Sequence, residues 1–171
     1  AVAEFKGAKG KTCLILAPGA NLSRVLAVGL GKPAELTGKV LEEAGGAIVT
    51  SLDKEPASVV ANSALTAQQA ADVAMGAVLR AYRFDRYRTK EKPEQKPSMK
   101  ELTFLVDGPK AAEKEFEPLD KIAEGVFFTR DLVSEPANVI YPESLAAEAK
   151  KLASLGVEVE ILDEKQMKTL G

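Results

Sequence analysis

Short apolar runs bounded by turn residues recur along the chain and predict β-strands. The four clearest runs are Lys11 to Ala17, Arg24 to Val28, Ala57 to Ala61 and Lys100 to Val106. The composition of Pro18-Gly19-Ala20-Asn21 predicts a turn between the first two strands. Farther along, Val157, Val159 and Ile161 alternate with glutamates, which is the pattern of a half-buried strand.

Between these runs, apolar residues recur every three or four positions and predict helices. One helix is predicted to begin at Pro33 and to be interrupted or ended at Gly45-Gly46. The next opens at Thr66, an N-cap with Gln69 as its capping-box partner. The inner face of this second helix is Ala67, Ala70, Ala71, Ala74, Val78 and Ala81. Alanines on that face predict close packing against a sheet or another helix.

A long third helix is predicted to start near Pro118 and to end at a bend. Pro136 ends it because proline lacks an amide donor and clashes with the preceding turn, whereas Pro142 suits the start of the next helix. Gly156 is expected to cap that helix, and another begins at Asp163. The predicted buried face of the third helix is Leu119, Ile122, Ala123, Val126, Phe127 and Val133. Strands alternating with helices predict an α/β fold.

The composition limits the class of protein and the kinds of catalytic site that this chain can form. An apolar content of 46% and a charged content of 28% are typical of a soluble globular protein, and no apolar run approaches the ~20 residues that cross a bilayer. Residues 1–10 lack the apolar block of a signal peptide. The chain has no histidine, which excludes Ser-His-Asp and Cys-His triads. Cys13, the single cysteine, is predicted to be a buried, inert thiol of a cytosolic protein.

The segment Gly29-Leu30-Gly31-Lys32-Pro33-Ala34 fits a loose dinucleotide-binding fingerprint. It follows a predicted strand and opens a predicted helix, and Asp53 lies at about the spacing of a ribose-binding acid. Glycines there would let backbone amides approach a pyrophosphate. Alanine at the third small position relaxes the fingerprint, so a tight strand-to-helix turn is the favoured interpretation.

The segment Arg80 to Lys100 is strongly basic, with eight basic and three acidic residues. Tyr82, Phe84 and Tyr87 lie among the charges, and basic groups interleaved with rings suit a nucleic-acid strand. The whole chain, however, has a net charge of −2, which favours neither a nucleic acid nor a membrane surface. A solvated connection whose rings anchor it to the core is therefore favoured.

Clusters of carboxylates show no spacing that gathers oxygen ligands on one side, so a solvated surface is predicted for them. The clusters are Glu42 and Glu43, Asp53 and Glu55, and Glu113, Glu115 and Glu117. Asp131 and Glu135 lie one helical turn apart at the bend and are interpreted as structural residues that pin it by capping or ion pairs.

The stretch Asp131-Leu-Val-Ser-Glu-Pro-Ala-Asn138, followed by Pro142-Glu143 and by Val157 to Gly171, resembles the domain junction of the leucyl aminopeptidase family. Upstream, Val28-Gly-Leu-Gly-Lys-Pro33 and Ala81-Tyr-Arg-Phe-Asp-Arg-Tyr87 resemble that family's N-terminal domain, in the expected order. The resemblance extends thinly over nearly the whole chain, and the junction is its most specific part.

The resemblance implies a macro-domain-like three-layer sandwich with a mixed central sheet flanked by helices. Residues 1–130 would form the N-terminal domain, without its first strand and helix. Residues 131–142 would form the junction, and 143–171 the truncated start of the catalytic domain. The parent protein would be a cytoplasmic two-metal exopeptidase, a hydrolase that removes N-terminal amino acids, preferably leucine, from peptides.

In such an enzyme the two divalent ions, Mn or Zn, and all catalytic residues belong to the second domain. No catalytic, cofactor-binding or metal-binding residue is therefore expected in this chain, which alone would hydrolyse nothing. The chain would associate with its own catalytic domain and support a homo-oligomer, a hexamer in the family, while shaping access to the active site. The alternative is a macro-like nucleotide or nucleic-acid binding module, with DNA not favoured. A dinucleotide enzyme built on Gly29 to Ala34 is a third hypothesis.

The sequence departs from the family's pattern at three places, and two of these departures lead to structural predictions. Ser134 stands where asparagine is usual, and Tyr141 stands where threonine is frequent. The tyrosine is expected to lose a helix-capping oxygen, at a cost of ~1 kcal/mol. A strand and a helix that usually precede the region of Val2 are missing, so the sheet is expected to expose an edge or an apolar face and the chain to associate with something.

Overall fold

The first two apolar runs pair as an antiparallel hairpin of β1 (Thr12–Gly19) and β2 (Leu22–Val28). The structure, a computed structural model, describes residues 4–19, 21–52, 54 and 58–171. β1 extends through Pro18-Gly19, into the predicted turn, and its register shifts between Leu16 and Gly19. Ala17 and Asn21 have positive φ angles of 44° and 60°, so the chain distorts next to the connection rather than within four turn residues. Ala20 lies outside the described residues.

The first helix, α1 (Gly38–Leu52), starts later and runs longer than predicted. Pro33–Glu35 forms only a short 3-10 turn. The prediction of a helix from Pro33 is therefore wrong, and so is the predicted interruption at Gly45-Gly46, because both glycines lie inside α1. Packing outweighs the low helix propensity of glycine here: α1 and α2 contact each other extensively.

The second helix, α2 (Ala67–Ala81), begins as predicted. Thr66 Oγ1 accepts a hydrogen bond from the Gln69 amide at 3.3 Å, and Gln69 Oε1 accepts one from the Thr66 amide at 3.0 Å, which confirms the capping box. Of the predicted alanine-rich face, Ala70 and Ala71 are buried but Ala81 is exposed, so the prediction holds only in part. The side of α2 that meets α1 carries Val73, Gly76 and Ala77 instead. The buried apolar residues of the described chain are Val40, Leu41, Ala44, Val49, Leu52, Ala70, Ala71, Val73, Met75, Ala77 and Ala123.

Two further strands, β3 (Ser58–Asn62) and β4 (Glu101–Leu105), pair in parallel on either side of α2 in the sequence. Val59 lies opposite Leu102, and Ala61 lies opposite Phe104. The α/β class is thus confirmed, with the antiparallel and parallel pairs of a mixed arrangement. In the described part of the chain these pairs form two separate two-stranded sheets.

The third helix, α3 (Pro109–Ser134), begins at Pro109 rather than near Pro118, which lies inside it. Proline suits a first helical position because its φ is already fixed. The predicted buried face is wrong in extent: Ala123 is 1% exposed, but Ile122 is 56% and Val133 is 82% exposed. Apolar residues at helical spacing therefore identify a face that could pack against another element, but they do not show that the face is buried.

The bend after α3 and the restart at α4 (Pro142–Lys150) confirm the predicted helix–bend–helix junction. A 3-10 turn (Lys151–Leu155) follows and ends at Gly156, whose φ of 84° confirms the predicted glycine cap. α5 (Glu164–Leu170) completes the chain. The strand predicted over Val157 to Ile161 is wrong, because that segment pairs with no strand of the described residues.

The chain forms two compact units, Ala1–Phe127 and Phe128–Gly171. The first contains both sheets, α1, α2 and the greater part of α3, and the second contains the junction, α4 and α5. All candidate stretches weighed above, apart from Asp131 and Glu135, fall in the first unit.

Candidate functional site

The glycines of the dinucleotide-like segment donate their amides to the chain itself. The Gly29 amide donates to the Lys11 carbonyl at 2.7 Å, and the Gly31 amide donates to the Gly7 carbonyl at 3.0 Å. A Cβ on Gly29 would overlap the Ala8 carbonyl oxygen and lie 2.7 Å from the Gly7 carbonyl carbon. The amides that a pyrophosphate would need are thus already used, and the space above Gly29 is filled by backbone.

The surroundings of this segment also differ from a nucleotide site. β2 leads into the 3-10 turn at Pro33 and not directly into a helix N-terminus, so the dipole that would face a pyrophosphate is missing at that point. Asp53, the proposed ribose ligand, lies outside the described residues. The tight-turn interpretation of Gly29 to Ala34 is the one that the geometry favours.

Gly29→Ala is expected to destabilise the chain by about 1–3 kcal/mol, because the new methyl meets backbone that must shift. Urea unfolding measures this loss. Gly125→Ala is the control, since a Cβ at Gly125 meets nothing within 4 Å and Gly125 lies inside α3; it should be neutral or stabilising. Unchanged stability of Gly29→Ala, together with measurable NAD binding by the wild type that the variant loses, would instead support the dinucleotide hypothesis.

The basic segment is organised by a half-buried ion pair that was not predicted from the sequence. A terminal nitrogen of Arg83 contacts a carboxylate oxygen of Glu91, whose side chain is only 10% exposed. Asp85 Oδ2 lies 3.6 Å from Arg83 Nε, and Arg88 Nη1 lies 3.8 Å from Glu91 Oε1. The hydrogen bond from Arg83 lowers the pKa of Glu91 below its ordinary value of 4.5, although burial opposes this shift. The same hydrogen bond raises the pKa of Arg83.

The aromatic rings of the segment are likewise used within the chain. Tyr82 stacks on Phe127 with ring centroids 5.1 Å apart, and Phe84 packs against Tyr87 at 5.8 Å. The Arg86 guanidinium lies 5.7 Å from the centroid of the Phe84 ring. Tyr82 therefore anchors the segment to α3, as predicted for the rings, whereas Tyr87 contacts only Phe84 of the same segment in these ring pairs and is 52% exposed.

Beside the ion pair lies an open depression of about 580 Å³. Its lining residues are Tyr87, Arg88, Thr89, Lys90, Glu91 and Gln95. The Gln95 carbonyl accepts a hydrogen bond from Lys54 Nζ at 2.6 Å. The lining offers two cations, Arg88 and Lys90, two hydroxyl groups, and the Glu91 carboxylate that Arg83 already pairs.

Glu91→Gln is expected to destabilise the chain at neutral pH but not in acid. Because the folded-state pKa of Glu91 is lowered, the stability it contributes is present above its ordinary pKa of 4.5 and is lost as the pH falls through the folded-state value. The difference in free energy of unfolding between wild type and variant, measured by urea unfolding, should shrink towards zero as the pH falls. Glu94→Gln, an exposed change in the same segment, should give a small difference throughout. A difference for Glu91→Gln that stays constant with pH would contradict the ion pair's role.

The carboxylate clusters do not form a metal site in the described residues: no group of three or more His, Cys, Asp or Glu side chains there could hold a metal ion. Asp53 and Glu55 lie outside the described residues. Glu42, Glu43, Glu113, Glu115 and Glu117 are all exposed, as predicted for a solvated surface. Cys13 is half-buried, so the predicted full burial of its thiol is wrong.

The bend between α3 and α4 is held by a serine that the sequence analysis did not single out. Ser144 Oγ accepts a hydrogen bond from the Tyr141 amide at 2.9 Å and lies 2.8 Å from the Val139 carbonyl, to which it can donate. Tyr141 itself makes no side-chain cap, which confirms the predicted loss of a capping oxygen. The helix N-terminus is thus stabilised by Ser144, three residues into the helix, because a residue there can satisfy the N-cap amide.

Comparison with known proteins identifies the family of this chain. The family model described as the N-terminal domain of the cytosol aminopeptidase family matches residues 1–91, more than half of the chain. The chain belongs to the cytosol aminopeptidase family. The resemblance seen at the junction and in the upstream motifs is confirmed. None of the helices within the described residues is both long and apolar enough to cross a membrane.

Relatives in the cytosol aminopeptidase family are much longer than this chain. A probable cytosol aminopeptidase of Caulobacter vibrioides is 43% identical over 170 residues, which are 98% of this chain and 34% of that protein. A probable cytosol aminopeptidase of a Bradyrhizobium species is 42% identical over 177 residues, covering 100% of this chain and 36% of that protein. The chain therefore spans about a third of the length of these curated relatives.

The chain also covers about a third of the length of solved structures with a similar fold. A mutant tomato leucine aminopeptidase superposes with a TM-score of 0.76 at 28% identity, over 97% of this chain and 34% of that one. The bottromycin maturation enzyme BotP, solved in complex with Mn, superposes with a TM-score of 0.73 at 25% identity, over 99% of this chain and 36% of that one. The fold predicted for the N-terminal domain of the cytosol aminopeptidase family is confirmed.

Proposed function

We propose that this chain is the non-catalytic N-terminal part of a leucyl aminopeptidase that removes N-terminal amino acids, preferably leucine, from peptides. The observation that carries the proposal is the family match, which names the N-terminal domain and covers residues 1–91. The likeness to a tomato leucine aminopeptidase supports the substrate preference. The names of the curated relatives support a cytoplasmic location.

The proposed division of the chain keeps residues 1–130 as the N-terminal domain, 131–142 as the junction and 143–171 as the start of the catalytic domain. The lack of a metal-ligand group among the described residues supports a catalytic centre beyond this chain. Two divalent ions, Mn or Zn, would supply the hydrolytic chemistry there by activating water. The Mn complex of BotP supports a metal of this class. Because the residues described here do not fit such ions, no step of the hydrolysis is assigned to them.

The role proposed for this chain is to assemble the enzyme and to shape access to the active site. Its proposed partners are its own catalytic domain and further copies in a homo-oligomer, a hexamer, with peptides as substrates of the whole enzyme. The internal use of the Arg83 charge and of the rings in the basic segment argues against nucleic acid as a partner. Nucleotide binding is disfavoured by the backbone that fills the space at Gly29.

Hydrolysis of a leucine anilide tests the proposal. The 171-residue chain should show no turnover with or without added manganese, whereas the longer natural polypeptide that contains it should be active with manganese. Activity should disappear when the metal is removed by a chelator and return when it is restored. Metal-dependent turnover by the 171-residue chain alone would contradict the proposal, and so would an inactive, fully folded longer polypeptide in the presence of manganese or zinc.

A further inference from the structure

The depression beside the Arg83–Glu91 ion pair has no part in the proposed function. Its two lining cations, Arg88 and Lys90, are exposed, and the Arg88 side chain is 63% exposed. Glu91 is the one carboxylate among the lining residues, and its side chain is only 10% exposed. The side-chain charges that a ligand would meet in this depression are therefore mainly positive.

The Glu91 carboxylate does not cancel this positive charge, because other cations already compensate it. The hydrogen bond from Arg83 lowers the pKa of Glu91, and the positive charges of Arg83, Arg88 and Lys96 lower it further. The cations that line the depression or act on its lining residues are Arg83, Arg88, Lys90 and Lys96, and they outnumber Glu91 and Asp85, the carboxylates that pair with Arg83. An excess of positive charge remains for a ligand.

Hydrogen bonds fix the backbone around the depression, although residues 83–98 contain neither an α-helix nor a strand. The Arg88 amide donates to the Asp85 carbonyl at 2.8 Å, and the Lys92 amide donates to Gln95 Oε1 at 2.9 Å. The ion pair joins the chain before the first of these turns to the chain before the second. Because this backbone is already ordered, a ligand would bind with little further loss of conformational entropy.

We propose that this depression binds a small, multiply charged oxyanion, carried by a phosphate-bearing or polycarboxylate compound, through Arg88 and Lys90. An arginine guanidinium is a planar fork that donates two parallel hydrogen bonds to a phosphate or carboxylate, and a lysine ammonium adds a point charge. Two cations separated by one residue attract a multiply charged anion more strongly than a monovalent one. The volume of about 580 Å³ lies in the range of small-molecule pockets. The inference does not depend on the proposed aminopeptidase activity.

Titration of the 171-residue chain with pyrophosphate and, separately, with citrate tests the site by calorimetry. At low ionic strength at least one anion should bind with one-to-one stoichiometry and a Kd below about 1 mM. Preference for pyrophosphate would identify a phosphate-bearing ligand, and preference for citrate would identify a polycarboxylate. A bound anion should also raise the thermal unfolding midpoint. No binding of either anion at about 10 mM, by both measurements, would overturn the proposal.

Substitutions distinguish a site from diffuse attraction. Arg88→Gln and Lys90→Gln should each raise the Kd about tenfold, because each removes a charge-assisted hydrogen bond. Lys92→Gln is the matched control: it removes the same charge from an exposed residue of the same segment that does not line the depression, and it should change the Kd less than about twofold.

Two results of these titrations would contradict the site. Equal weakening by all three variants would show that a positive surface attracts anions without a site. Duplex DNA that displaces pyrophosphate, and whose binding all three variants weaken equally, would assign the surface to nucleic acid and would also overturn the proposal. Far-ultraviolet circular dichroism checks that each variant is folded. If Arg88→Gln impairs folding, Lys90→Gln decides, since Lys90 is exposed.

Discussion

Gly76→Ala is expected to lower the free energy of unfolding by about 3 kcal/mol, at the upper end for overpacking. A Cβ on Gly76 would overlap the Glu42 carbonyl oxygen on α1. At the same crossing, a Cβ on Gly45 would overlap the Val73 carbonyl oxygen and approach the Ala77 amide nitrogen to 2.7 Å. These atoms are backbone, which cannot rotate away as a side-chain tip can. The helices would have to separate, and the buried apolar contacts between them would weaken together.

Gly46, which is adjacent to Gly45 in α1, provides the control, because substitution by alanine there is expected to stabilise the chain. The nearest atom to a Cβ on Gly46 is Arg80 Cβ at 3.8 Å, an ordinary contact. Gly46→Ala should therefore stabilise the chain by about 0.5–1 kcal/mol through helix propensity alone. Urea unfolding of Gly45→Ala, Gly46→Ala and Gly76→Ala measures all three. If Gly45→Ala and Gly46→Ala had the same effect, α1 and α2 would not cross as closely as the structure describes.

This crossing shows why helix boundaries could be predicted only in part. Thr66 and Gln69 form a local cap whose partners are three residues apart, so the sequence was enough to place the start of α2. Gly45-Gly46 was interpreted from local propensity as an interruption, although its role is to let Gly76 approach from another helix. Contacts between distant residues outweigh propensity at such places, and a single sequence does not identify the partner.

The segment Val157 to Ile161 shows the corresponding limit for strands. Its alternation correctly describes side chains that could form a half-buried strand, but a strand forms only when a second one supplies hydrogen bonds. No strand of the described residues does so. The strands β1 and β2, in contrast, lie close together in the sequence, and both were predicted with small errors at their ends, although their antiparallel pairing was not. An alternating sequence pattern shows that a segment can form a strand. Whether its pairing can be predicted depends on how close the partner strand lies in the sequence.

The candidate functional site, too, could be predicted only in part from the sequence. The absence of histidine excluded Ser-His-Asp and Cys-His triads. The spacing of the carboxylates predicted a solvated surface, and Glu42, Glu43, Glu113, Glu115 and Glu117 are exposed. The pairing of Arg83 with Glu91 was missed because seven residues of irregular chain separate them, and only their opposite charges indicated it. Ser144 was missed for a different reason: the residue that usually reaches back to the N-cap amide from the third helical position is Glu or Gln, whereas here the Tyr141 amide donates to a serine.

Leu41→Ala is expected to cost about 2–5 kcal/mol, a large share of the ~5–15 kcal/mol that stabilises a typical domain. Leu41 is 2% exposed, and nearly all the buried apolar residues of the described chain belong to α1 and α2. With so few other buried side chains, the surroundings cannot compensate for the cavity. The hairpin and the β3–β4 pair, whose faces are partly open, depend on this helix pair for their stability.

Ile122→Ala is the comparison for this substitution, because it removes a similar amount of side chain from a position that is 56% exposed. It should cost less than about 1 kcal/mol, since little apolar area is taken from the core. Urea unfolding of both variants, followed by far-ultraviolet circular dichroism, gives the difference. Equal costs would mean that α3 is as firmly packed as α1 and α2. In that case the α1–α2 pair could not be the main source of stability in this chain.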